Sequence, residues 1–182
     1  MSQKPTYLGL LNAIAVGEAR GYALLSAWKD ATDDVNLAEV LNVVAIREQE
    51  HSAAFTKRLC ELGFSVREKP SSQYEENLRL AASDASDVEK FQRILGYRPE
   101  GQESAENADD PLAEVFSDRT IDPQTGGLLG RFVAEERDSE RRLRGALATF
   151  CREAPADPVL QDIATRLDRL SATLEDLKKL RA

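Results

Sequence analysis

The stretch LNVVAIREQEHSAAFTKRLCEL, residues 41–62, decides how this chain folds. Taken at steps of three and four it gives Leu41, Val44, Glu48, His51, Phe55, Leu59 and Leu62, the spacing of one helix face turned toward a core. Glu48 and His51 interrupt that apolar stripe one helical turn apart, on the same face, and His51 is the only histidine in the chain. An isolated charge is too costly in an apolar interior, so a carboxylate and an imidazole there must be paired, protonated or bound to a cation. At this spacing the two side chains can reach a single metal ion together.

Outward from this stretch, helix formers with a period near 3.6 dominate and no alternating Val/Ile/Thr-rich run signals a strand. Asp110-Pro111, Asp122-Pro123 and Asp157-Pro158 each set a capping aspartate before a proline, whose missing N–H costs nothing in a first turn. Asn36 with Glu39, and Ser86 with Glu89, have capping-box spacing or nearly so, and Gly63 is placed to close a helix in a left-handed conformation. These signals predict four long helices, over about 5–30, 36–62, 122–152 and 157–181. Short polar turns join the first to the second and the third to the fourth, so each pair is expected as an antiparallel hairpin. The connection from Phe64 to Ile121 is too long for a structureless loop, and short helices are expected near 72–84, 86–96 and 111–118. Tyr97 to Asp110, rich in Gly, Glu, Asp and Asn, is the candidate for disorder.

The 182 residues fit one domain, 1–182, with a substantial core. A net charge of −8 and the lack of a basic patch argue against nucleic acid, and no segment is apolar enough to span a membrane. Met1–Thr6 is polar with no signal-like apolar run after it, and Cys60 and Cys151 lie far apart outside any CxxC. A reducing cytoplasm fits this pattern, with both thiols expected to be inert and buried.

A repeat links the first and third long helices. Gly9-Leu-Leu-Asn-Ala-Ile-Ala-Val-Gly-Glu18 aligns with Gly127-Leu-Leu-Gly-Arg-Phe-Val-Ala-Glu-Glu136, and the same register sets Leu25 against Leu143. Both glutamates again sit in apolar stripes: Leu11, Ile14, Glu18, Tyr22, Leu25, and Leu129, Phe132, Glu136, Leu143, Phe150. Two hairpins so related would gather Glu18, Glu48, His51 and Glu136 near one point at mid-bundle.

In these residues the chain resembles the ferritin-like superfamily, and rubrerythrin-like di-iron carboxylate proteins in particular, over roughly 5–62 and 122–180. The resemblance implies an all-α four-helix bundle with a long connection between its second and third helices. It also implies a site built from one Glu on each of two helices and a Glu-x-x-His on each of the others. Glu18 matches the first single glutamate, Glu48 and His51 the first Glu-x-x-His, and Glu136 the second single glutamate. The second Glu-x-x-His is missing. Leu167 and Leu170 stand at its positions, inside a seam of Leu160, Ile163, Leu167, Leu170, Leu174 and Leu177. A different alignment pairs Glu136 with Ser139 as a damaged Glu-x-x-His and also lacks the histidine.

Two functions follow. In the first, Glu18, Glu48, His51 and Glu136 bind one divalent ion, iron or manganese, in a redox protein of the peroxidase, ferroxidase or oxygenase kind. Oxygen-rich ligands with one imidazole suit those metals. Without the paired CxxC motifs of rubrerythrins, its electron donor would be external. In the second, a metal-free helical module binds a partner or itself. Its carboxylates share protons and pair with His51 and with Arg166 or Arg169, and ferritin-like proteins often pair through faces like the leucine seam, so a homodimer stays open. Glu135 and Asp138 are read as solvated or in surface ion pairs, Arg137, Arg141, Arg142 and Arg144 as a solvated face, and Trp28, Tyr22 and Phe55 as packing.

Overall fold

The computed structural model describes residues 5–97 and 120–153, with side chains to Phe150. Among these residues every regular element is a helix: α1 Leu8–Ala31, α2 Val35–Glu61, α3 Ser72–Ala81, α4 Asp87–Ile94 and α5 Pro123–Glu153. None is long and apolar enough to cross a membrane. The chain divides into two compact units, Met1–Ala148 and Thr149–Ala182, and the first carries the site. The expected helices at 111–118 and 157–181, the segment 98–110, the starts at Asp110 and Asp157, Leu167, Leu170, Arg166, Arg169 and the side chain of Cys151 lie outside the described residues.

Local chemistry sets the helix ends. Asp34, not Asn36, caps α2: its carboxylate accepts from Leu37 N at 2.7 Å, while its own N–H donates to Thr32 Oγ1 at 3.2 Å. That second bond holds Asp34 in the extended conformation a cap requires, so the helix begins before Asn36. At the other end Gly63 has φ +83° and donates to the Cys60 carbonyl, and Phe64 donates to the Leu59 carbonyl. This is the Schellman closure that favours glycine. Ser86 caps α4 by accepting from Glu89 N, as its spacing predicts.

α1 and α2 form an antiparallel hairpin whose facing residues include Leu11, Ile14, Ala15, Phe55 and Leu59 in one buried cluster. Leu129 of α5 completes that cluster, with Phe132 packed against it. The start of α5 is tied to both other long helices by Asp122. Its Oδ1 accepts from Gln124 N and Thr125 N, and its Oδ2 accepts from Tyr7, Thr125 Oγ1 and Arg58. The Thr125 hydroxyl and then Arg58 and Tyr7 hold this carboxyl well below its usual range. α5 then passes Glu50 and His51, and later Arg47, so it runs antiparallel to α2 and parallel to α1. The long connection thus returns to the end of the hairpin that it left.

Trp28 and Phe55 are fully buried, as their spacing predicts. Two expectations fail. Tyr22 is 37% exposed, because the inner face of α1 runs through Gly21 instead, along Ile14, Glu18, Gly21, Leu25 and Trp28. Cys60 is exposed, because it follows Leu59 by one residue and so points away from the buried face.

Candidate metal centre

His51 sits on α2 with 3% of its surface exposed. Two turns from the Arg58–Asp122 knot, it faces α1 and α5 together. Its Nδ1 lies 3.0 Å from Glu18 Oε2 and 3.5 Å from Glu136 Oε1, and its Nε2 lies 2.7 Å from Glu135 Oε2. Phe132 packs edge-on against the ring at 5.1 Å and against Phe55 at 5.4 Å, which fixes the plane of the imidazole.

Glu18, His51 and Glu136 each offer one ligand atom, and these atoms lie within 4.8 Å of one another. Glu48 stands beside this set, against α1. A Cβ on Gly21 would come within 2.9 Å of the Glu48 carboxyl carbon, so the missing side chain is what makes room for it. The two glutamates of the repeat, Glu18 and Glu136, therefore meet at one nitrogen.

Electrostatics follow from this crowding. Burial first, then the nearby charges of Glu18 and Glu136, raises the Glu48 carboxyl to about 9. Burial also raises Glu18, against the opposing hydrogen bond from His51. Burial disfavours the charged imidazole, but hydrogen bonds to Glu136, Glu18 and Glu135 outweigh it and raise His51 to about 10. Without a cation, a protonated His51 would balance its carboxylates and Glu48 would keep its proton.

Glu135 departs from the expected surface role. It is half-buried and bonded to His51, and on its other oxygen to Arg131 at 2.9 Å, which in turn reaches Glu50 at 3.1 Å. Burial raises its carboxyl, but Arg131 and His51 outweigh that and leave it lowered. An imidazole that offers one nitrogen to a ligand position needs an acceptor at the other, and this need was the signal available for Glu135. Asp138 does sit in ion pairs, with Arg47 and Arg142 at 2.7 Å and Arg141 at 3.2 Å.

The donor set fits one divalent cation. Glu136 Oε1 is buried and meets no donor at good hydrogen-bond geometry, His51 Nδ1 standing off at 3.5 Å, so it is an acceptor that a cation would satisfy. Two carboxylates and one imidazole are ligands of the kind taken by iron(II) and manganese(II). In that arrangement Glu135 would keep the proton on Nε2 and so leave Nδ1 free to ligate. Comparison with family models, curated proteins and solved structures finds no match for the chain.

Proposed function

We propose that this chain is a ferritin-like redox protein in which Glu18, His51 and Glu136 hold a single iron or manganese ion. The observation that carries the reading is the convergence of those three side chains, from three helices, with one ligand atom of each within 4.8 Å of the others. Such an ion would supply one-electron chemistry toward dioxygen or peroxide. Around it the chain's own residues have separate tasks: Glu135 orients His51, Glu48 holds a proton beside the ligands, and Phe132 excludes water from the ring face. With no CxxC pair in the sequence, electrons come from an external donor.

Ser139 stands where the alternative alignment would have its histidine. It is 3% exposed, one turn beyond Glu136, and accepts from Arg47 at 3.2 Å. In either alignment the second Glu-x-x-His is incomplete, with Leu167 and Leu170 or with Ser139 at its positions, which is why one ion is proposed instead of two. The test is anaerobic loading with iron(II), followed by mixing with peroxide or dioxygen while absorbance is recorded. Saturable oxidation at one equivalent per chain, abolished in His51→Ala, is expected; identical traces for the two proteins would refute the redox role.

A second reading rests on the same imidazole. Both His51 nitrogens already face carboxylates, so the cluster can neutralise itself as a buried polar core. The chain would then be a metal-free helical module that binds a partner protein or itself, and chelators would leave its stability unchanged.

A further inference from the structure

Beside the carboxylates lies a pocket of ≈ 180 Å³ that the proposed redox chemistry does not use. Leu25, Val44, Leu95, Tyr97 and Leu143 line it, with Glu48, Glu136, Ser139 and Glu140 as its polar groups. A cavity of this size matches a compact organic molecule, since an apolar space of about 150 Å³ admits benzene.

The side formed by α4 is anchored. The Asp87 carboxylate at the start of α4 accepts from Trp28 Nε1 at 2.6 Å and from Thr32 Oγ1 at 2.8 Å. Phe91 packs edge-on to Trp28 at 4.8 Å. Tyr97 is stacked on Phe91 on one face and carries the Arg144 guanidinium over its ring at 4.3 Å. The wall is therefore tied to α1 by Trp28 and Thr32 and to α5 by Arg144, and the pocket is built into the fold.

We infer that this pocket binds a small molecule with a compact apolar body and one hydrogen-bond-donating head, an alcohol or an amine, with the head toward Glu48 and Glu136. The apolar walls take the body by excluding water from it. The carboxyl groups of Glu48 and Glu136 supply hydrogen-bonding atoms beside the apolar lining, so a head carrying an O–H or N–H is met there and a wholly apolar molecule leaves them unmet. The inference deepens the proposed site by giving it an organic ligand, and rests on that reading only for what occupies the polar end.

The test uses the full chain, both chelated and manganese-loaded, titrated with benzyl alcohol, benzylamine and toluene by calorimetry and ligand-observed NMR. Saturable one-to-one binding of the alcohol or the amine, about tenfold tighter than toluene, is expected, the difference being one good hydrogen bond. Which of the two binds better identifies the head as neutral or cationic. Leu95→Trp and, separately, Leu143→Phe fill the pocket and should each remove binding while leaving the manganese content of the protein unchanged. Equal binding of toluene, binding that survives both filled variants, or no saturable binding would overturn the inference. Metal content is read separately, so loss of metal with intact ligand binding would refute the cation site alone.

Discussion

Glu135 places a carboxylate oxygen 2.7 Å from Nε2 of His51, on the side of the ring away from Glu18 and Glu136. This contact decides which nitrogen is available for ligation, because a carboxylate at Nε2 holds a proton there and leaves the Nδ1 lone pair facing the other two. Glu135→Gln keeps a hydrogen-bonding group of the same shape and removes the charge. Removing such an orienting partner weakens metal affinity by roughly 10–100-fold. Manganese affinity by competition titration should fall within that range for Glu135→Gln and further for Glu135→Ala. Unchanged affinity in both would show that the contact does not orient a ligand.

Cation binding should appear in stability. A ligand at about 100 times its Kd stabilises the native state by about 2.7 kcal/mol. Manganese(II) at that level should raise the melting temperature of the wild-type protein, and Glu136→Gln, which removes the carboxylate charge, should lose most of the rise. Equal shifts in the two proteins would put the bound ion elsewhere.

The pH dependence of the chelated protein has a definite sign. Glu48 is raised to about 9 and His51 to about 10, so the folded chain binds protons more tightly than the unfolded chain at both positions. A native state that holds more protons loses stability as pH rises. The Glu48 contribution fades from the ordinary carboxylate range up to about 9, and that of His51 from 6.5 up to about 10. Urea midpoints should therefore decline from pH 5 to 9, with each group adding at most about 1.4 kcal/mol per pH unit. Manganese should oppose the decline, because its ligands must lose protons to bind. A chelated protein that gains stability over this range would contradict the charge assignment.

Gly21 gives a prediction that departs from the usual rule. Inside a helix, alanine is normally more stable than glycine by about 1 kcal/mol. Here the added methyl would meet the Glu48 carboxyl carbon at 2.9 Å and push that side-chain end aside, so Gly21→Ala should bring none of this gain. In a Glu48→Ala background the obstacle is gone and the ordinary gain should return. Additive effects in this double-mutant cycle would rule out the packing relation.

The helix faces that build the candidate centre were legible because they follow a spacing rule. Steps of three and four put Glu18, His51 and Glu136 on inward faces of three helices, and packing then brought them together. Gly63 and Asp122-Pro123 were legible for the same kind of reason, a backbone requirement only certain residues meet. Gly21 was not, since a glycine on an apolar stripe reads as a gap until the carboxylate that fills it is known. Glu135 was missed because a long side chain one position off the stripe can curl back to a neighbouring helix, which periodicity does not register. The direction of α5 depends on where the connection between α2 and α5 returns, and no local pattern encodes that.

Glu18, His51 and Glu136 are proposed to hold one divalent ion. Elemental mass spectrometry tests it most directly, on protein grown with iron and manganese and purified without chelator, beside His51→Ala and Glu136→Gln. About one iron or manganese per chain is expected in the wild type, with little in either variant. A wild-type protein without stoichiometric metal, or variants that retain it, would contradict the account.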